Sequence, residues 1–186
     1  MGSATIGRME DRTLHDAFVE LHGERLHGFA LLVTLGDQTL AGILTAEALA
    51  NGAERIEQLR HPERAATWLR AKLTRAARQP AWGHQRPGEP ERRGALLKLG
   101  VDPATYDALA SLDVRSRAVL AATVEGFAPA DVHEVAGSDA RVRRARRDYL
   151  TAYLAASRTR NTQPARGALT ARVQAAAGPV LSGSDR

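Results

Sequence analysis

The chain lacks cysteine altogether, and aromatic residues make up only 4% of its 186 residues. Without cysteine there is no disulfide, no thiolate nucleophile and no Cys-based zinc or iron–sulfur site, and an intracellular protein is favoured. No apolar run approaches the roughly 20 residues that a membrane span needs. Runs of β-branched residues are also nearly absent, whereas Ala, Leu and Arg dominate. These features predict an all-α protein and argue against sheets and barrels.

The sequence also lacks the short motifs of the common enzyme classes. It contains no GxGxxG, GxxxxGK, HExxH or GxSxG, patterns that bind dinucleotides, phosphates or zinc or carry a nucleophilic serine. His15 and His22 are seven residues apart, but no histidine pair has the i, i+4 spacing with a carboxylate that predicts a metal site. We therefore expect no catalytic residues, no metal and no cofactor, and a binding protein is the leading class.

Basic residues outnumber acidic ones, and most of this excess lies near the C-terminus. The formal net charge is +5, and residues 157–186 contain five arginines and one acidic residue. A basic balance favours an anionic partner such as nucleic acid. The Arg-rich composition of a high-GC genome explains the same balance equally well. Since residues 1–11 lack the apolar core of a signal peptide, we expect a cytoplasmic protein with no membrane partner.

Apolar residues at helical spacing divide the chain into two blocks. In the first block, Gly36-Asp37 predicts a turn, and His61-Pro62 predicts the end of one helix and the start of the next. Residues 79–93 hold three prolines and two glycines, and we expect no helix there. The predicted division is a helical domain at 13–78, a Pro/Gly-rich linker at 79–94, a second helical domain at 95–156 and a flexible basic tail at 157–186.

The segment 139–154 carries the strongest physical signal. Five arginines fall within residues 141–147, and on a helix Val142, Ala145, Tyr149 and Tyr153 share the opposite face. One face is therefore suited to packing and the other to negative charge. A short predicted helix that ends at Gly137 precedes it, so the pair predicts a helix–turn–helix whose second helix enters the major groove of DNA. The alternative is a solvated Arg-rich helix.

Several segments resemble the extracytoplasmic-function (ECF) type sigma factors of the sigma-70 family, the small two-domain sigma subunits of bacterial RNA polymerase. A-L-A-S-L-D-V-R-S-R-A-V-L at 108–120 resembles the entry to the family's fourth region. V-E-G-F-A-P-A-D-V-H-E-V-A-G at 124–137, with Val142 and 146–150, resembles the helix–turn–helix of that region. In the first block, residues 29–37 together with Ala41, Glu47 and Leu49 resemble the second region, and R-A-A-T-W-L-R at 64–70 resembles the approach to its promoter-reading helix.

The resemblance implies two helical domains that act in transcription initiation without catalysis of their own. The expected partners are core RNA polymerase, promoter DNA and an anti-sigma factor. Glu47 matches a polymerase-binding glutamate of the family. The expected DNA-binding residues are Arg70, Lys72, Arg75 and Arg78 in the first block and Arg141, Arg143, Arg144 and Arg147 in the second.

Two other interpretations stay open. The family usually has an acidic cluster before the matched glutamate, whereas this chain has A-G-I-L-T-A at 41–46. The first alternative is therefore a sigma mimic that binds an anti-sigma factor or polymerase without opening a promoter. The second is a stand-alone helix–turn–helix regulator that binds a palindrome as a dimer.

Overall fold

A computed structural model describes residues 3–59, 61–79 and 84–159, with side chains at 13–59, 61–79, 84–135 and 137–158. These residues form eight α-helices and no strand, which confirms the all-α prediction. The helices are α1 (Ser3–Thr34), α2 (Gln38–Ala53), α3 (Pro62–Ala76), α4 (Glu89–Lys98), α5 (Pro103–Ala110), α6 (Val114–Val124), α7 (Pro129–Ala136) and α8 (Asp139–Thr159).

In the first block the turn at Gly36-Asp37 and the helix start at Pro62 are confirmed, whereas the predicted end of the preceding helix at His61 is wrong, because α2 ends at Ala53. Gly36 has a φ of 80°, and its N–H donates to the carbonyl of Leu31 at 2.8 Å, which closes the end of α1. The Asp37 carboxylate then accepts from the amide of Leu40 at 3.0 Å and so caps α2. Pro62 is the first residue of α3, where its missing N–H costs no hydrogen bond. Local stereochemistry thus sets both boundaries.

The expectation of no helix in the linker is wrong for its last residues. α4 begins at Glu89, inside the segment 79–94. Pro90 lies in the first turn of α4, where a proline fits because the first amides of a helix have no intrahelical partner. Residues 80–83 of the predicted linker lie outside the described residues.

The segment that enters α4 packs on the turn between α1 and α2. His84 Nε2 lies 2.7 Å from a carboxylate oxygen of the buried Asp37. Gly36 faces the backbone of Arg92 so closely that a Cβ atom on Gly36 would lie 2.1 Å from the Arg92 carbonyl oxygen. Only a glycine therefore fits at this crossing.

The two predicted blocks share a buried face. α1 packs on α6, and α3 packs on both α6 and α7. The Arg117 side chain of α6 is buried and donates to the carbonyl of Val33 at 2.8 Å and to that of Leu112 at 2.6 Å. Burial lowers the pKa of Arg117 to about 10, so the guanidinium is still charged at neutral pH. The division into two domains stays a prediction, and in this arrangement the two halves are in contact.

α8 runs beyond the predicted domain end at 156. It extends to Thr159, and Ser157 is buried. The rest of the predicted tail, 160–186, lies outside the described residues.

Candidate nucleic-acid interface

A tight turn joins α7 to α8. Gly137 caps the C-terminal end of α7, and its φ of 88° is a left-handed conformation that favours glycine. The N–H of Gly137 donates to the carbonyl of His133 at 2.6 Å. The carbonyl of Ser138 accepts from the amides of Arg141 and Val142, which begins the next helix. Two residues, Gly137 and Ser138, therefore separate α7 from α8.

One face of α8 packs on the core, as the sequence pattern predicts. Ala145, Tyr149 and Tyr153 are all buried, and Val142 is half-buried against the same cluster. The rings of Tyr149 and Tyr153 stack with their centroids 5.9 Å apart. α8 packs on α5, α6 and α7, so its orientation is fixed from three sides.

The opposite face of α8 is basic and exposed. Arg143, Arg144 and Arg147 all point away from the core. Arg144 Nε and Arg147 Nε each lie 3.5 Å from a carboxylate oxygen of Asp148. Ion pairs at such exposed positions contribute little to stability and are screened by salt. The two guanidiniums are therefore able to exchange this carboxylate for another anion.

The four predicted DNA-binding residues of the first block differ in their exposure. Arg75 and Arg78 are exposed and Lys72 is half-buried, whereas Arg70 is buried. In this arrangement Arg70 is not accessible to a nucleic acid.

Arg70 is buried in a contact between the two predicted blocks. Its Nε lies 2.5 Å from Glu125 Oε2, and the two side chains are 4% and 11% exposed. Its Nη1 donates to the carbonyl of Ala66 at 3.1 Å. The guanidinium carbon lies 5.4 Å from the ring centroid of Phe29 and 4.7 Å from that of Phe127. Two aromatic rings and a carboxylate thus replace water around this charge.

Two titratable groups near Arg70 have shifted pKa values. Burial raises the pKa of Glu125, and the positive charges of Arg70 and Arg25 only partly oppose the shift. Burial, with the same two arginines, lowers the pKa of His22 below 6.5. His22 is buried against the ring of Phe18, with the centroids 4.7 Å apart. A proton on His22 would therefore add a third positive charge to this region.

The lowered pKa of His22 predicts that acid destabilises the folded protein. Because the folded protein binds the His22 proton less readily than the unfolded chain, the free energy of unfolding falls as the pH drops through 6.5. The slope contributed by one proton is at most about 1.4 kcal/mol per pH unit. Urea denaturation between about pH 7.5 and about pH 5.5 measures it, and His22→Gln should have a flatter dependence.

The comparison with His22→Gln isolates the histidine. The raised pKa of Glu125 makes the free energy of unfolding rise as the pH falls, because the burial of this carboxyl group costs less once it is protonated. Both proteins contain Glu125, so its contribution cancels in the difference. Equal slopes in the two proteins would show that His22 is not the group responsible.

The Glu47 side chain is exposed on α2. The Asn51 side chain donates to the main-chain carbonyl of Glu47 at 2.7 Å and leaves the carboxylate uncovered. Its side chain is therefore accessible to a partner, and its polymerase contact stays a prediction.

Sequence reasoning missed two charged residues that the fold places beside the predicted ones. Glu125 is the partner of Arg70. Burial, with the positive charges of Arg141 and Arg78, lowers the pKa of Arg115 in the first turn of α6. Neither residue shows a spacing that links it to its partners, because the contacts join helices far apart in the sequence. The packing of α3 on α6 and α7 brings Arg70 to Glu125.

Other kinds of site are not seen among the described residues. No three His, Asp or Glu side chains in 13–59, 61–79 and 84–159 are grouped as metal ligands would be. Within that part of the chain no helix combines the length and apolarity that crossing a membrane requires.

No protein-family model, curated protein or solved structure matches this chain.

Proposed function

We propose that this protein is an ECF-type sigma factor that directs RNA polymerase to promoters and recognises DNA through α8. The observation that carries the proposal is the two-sided character of α8. Its inner face is buried through Ala145, Tyr149 and Tyr153, and its outer face presents Arg143, Arg144 and Arg147 to solvent. Together with α7 and the turn at Gly137, it has the element order of a helix–turn–helix.

Helix dimensions and arginine chemistry suit this role. The major groove of DNA, about 12 Å wide, admits one α-helix. An arginine in the groove donates two hydrogen bonds to O6 and N7 of guanine, and one at the groove edge binds a phosphate. Because α8 packs on three other helices, its arginines project from a rigid support.

The other predicted contacts complete the proposal. Glu47 on α2 faces core polymerase, and Lys72, Arg75 and Arg78 contact the promoter near the start of transcription. Arg70 reaches DNA only after it separates from Glu125.

The burial of Arg70 favours a second candidate function. A sigma mimic that binds an anti-sigma factor or polymerase does not need Arg70 to reach DNA, and the closed contact with Glu125 would then be permanent. Binding to core polymerase or to an anti-sigma factor with no dependence on DNA would support this candidate over the first.

Substitution of the α8 arginines tests the first candidate. Arg143→Ala, Arg144→Ala and Arg147→Ala should each weaken binding to a promoter duplex selected from random sequence in the presence of core polymerase. A plot of log affinity against log salt concentration falls, and loss of one phosphate contact makes it less steep by about 1, whatever the DNA sequence. Loss of a guanine contact instead removes about 1–3 kcal/mol of discrimination at one base pair. A salt series on matched and mismatched duplexes separates the two roles.

Arg158→Ala is the matched control, because Arg158 is an exposed arginine in the last turn of the same helix. It lies 11 residues beyond Arg147, about 16 Å along the helix axis. Its substitution should leave the affinity and the salt slope unchanged. If the three α8 variants all bind like the parent at every salt concentration, α8 is not the DNA-binding helix.

A further inference from the structure

One loop covers the buried side chain of Arg70. Residues 125–128 join α6 to α7 and read E-G-F-A. The Glu125 carboxylate lies 2.5 Å from Arg70 Nε, and the ring centroid of Phe127 lies 4.7 Å from the guanidinium carbon. A single short loop therefore supplies both the opposite charge and one of the two rings that exclude water from Arg70.

This cover over Arg70 is thin. The Glu125 side chain is 11% exposed and Phe127 is half-buried, so both reach the protein surface, whereas the Arg70 side chain is only 4% exposed. Gly126 lies between them and is exposed. Among the described residues, apart from its neighbours in the chain, nothing lies within 4 Å of the position that its Cβ atom would take. One layer of side chains thus separates Arg70 from solvent.

The backbone of the loop does not have to move for Arg70 to be uncovered. The amides of Glu125 and Phe127 donate to carbonyls in the last turn of α6, at 2.9 Å and 3.2 Å. Rotation of the two side chains away from Arg70 keeps both hydrogen bonds. α6 also stays attached to α1 through Arg117, whose Nε donates to the carbonyl of Val33. Arg70 is therefore uncovered by a local opening that leaves the packing of the two predicted blocks in place.

The Glu125 carboxylate loses hydration while it covers Arg70. Burial raises its pKa, and the positive charge of Arg70 offsets the cost of this burial only in part. A phosphate oxygen accepts the same charge-assisted hydrogen bonds from a guanidinium group. An anion that arrives from solvent therefore exchanges with Glu125 at a small net cost, since the released carboxylate regains its water.

We propose that Glu125 and Phe127 form a gate over Arg70, and that a nucleic-acid phosphate opens the gate by taking the place of the Glu125 carboxylate. The inference rests on the proposed function, in which Arg70 contacts promoter DNA. While the gate is closed, Arg70 contributes nothing to the binding of DNA. Its contact forms only after a phosphate has reached the loop.

Chemical modification of arginine tests the gate without DNA. Phenylglyoxal reacts with guanidinium groups that solvent reaches, and mass spectrometry of peptides gives the rate at each arginine. In the parent, Arg70 should react more slowly than the exposed Arg75. Glu125→Gln keeps the shape of the side chain but removes its charge. Because a hydrogen bond between a charged pair is stronger than one to a neutral amide, the rate at Arg70 should rise about 10-fold, with no change at Arg75.

Glu134→Gln is the matched control, because Glu134 is an exposed glutamate of α7 outside the gate. It removes the same charge and should leave the rate at Arg70 unchanged. The gate is refuted if Arg70 reacts equally fast in the parent and in Glu125→Gln, or if Glu134→Gln raises the rate as much. Phe127→Leu, which removes the ring from the cover, should also raise the rate. It decides the question if circular dichroism shows that Glu125→Gln is poorly folded.

A salt series on a promoter duplex, with core polymerase present, tests what opens the gate. Glu125→Gln should bind about 10-fold more tightly than the parent, because opening costs less, and should keep the parent's salt slope. Arg70→Met with Glu125→Leu lacks the guanidinium, so its plot of log affinity against log salt concentration should be less steep by about 1. If this double variant keeps the parent's slope, no phosphate reaches Arg70 and the closed pair is permanent, which overturns the proposal.

The proposed function fails separately from the gate. Unchanged duplex binding by the three α8 variants would reject DNA recognition through α8, while faster modification of Arg70 in Glu125→Gln would still show that the gate opens.

Discussion

Glu125→Ala is expected to lower the free energy of unfolding by about 3–5 kcal/mol, because it leaves the buried charge of Arg70 without its partner. The ion pair is 2.5 Å long, and its arginine side chain is only 4% exposed. Water cannot replace the carboxylate while Phe29 and Phe127 enclose the guanidinium. Urea denaturation followed by circular dichroism measures the loss.

A double variant separates the cost of a stranded charge from the loss of packing. Arg70→Met with Glu125→Leu replaces the pair by apolar side chains of similar size, a change that is often neutral or stabilising at buried sites. We expect it to recover most of the stability that Glu125→Ala loses. If the double variant is as unstable as the single one, the pair contributes through shape and not through charge.

Gly36→Ala should also be strongly destabilising, by about 2–4 kcal/mol. The added methyl group would lie 2.1 Å from the Arg92 carbonyl oxygen, which belongs to a helix backbone and cannot rotate away. The φ of 80° adds a second cost, since residues with a Cβ atom rarely adopt it. The chain must then either separate α4 from the α1–α2 turn or distort that turn. Thermal or urea unfolding of the variant measures the combined effect.

Gly126→Ala is the matched control for the backbone cost alone. Gly126 has a φ of 83°, nearly the same as Gly36, but nothing lies within 4 Å of the position of its Cβ atom. Its substitution should cost about 1 kcal/mol. Equal losses at Gly36 and Gly126 would show that the approach of Arg92 is relieved without cost.

The sequence predicted those parts of the fold that depend on neighbouring residues. The turn at Gly36-Asp37, the start of α3 at Pro62 and the buried face of α8 all follow from local stereochemistry or from spacing within one helix. The helix α4 was missed because three prolines nearby suggested a linker. Pro90 is in fact in the first turn, where it favours a helix.

The candidate site was less predictable, because its contacts join distant segments. An arginine on a helix is usually placed on the solvent side, yet Arg70 is buried because Glu125, 55 residues later, supplies the opposite charge. Arg115 shows no pattern that links it with Arg78 and Arg141. The exposed arginines of α8, by contrast, are predictable from the sequence, since they lie close together in it and opposite an apolar stripe.

The contact between Arg117 and the Val33 carbonyl bears on how the chain folds during its synthesis. Val33 is one of the last residues of α1, whose final carbonyls have no partner within the helix. Its partner is 84 residues further along the chain. At a usual synthesis rate of about 5–20 residues per second, the ribosome adds Arg117 about 4–17 s after Val33. During that time α6 and α7 are not yet complete, and the surface of α1 and α3 that later meets them faces water. The N-terminal half thus reaches its final packing only after most of the chain has been translated.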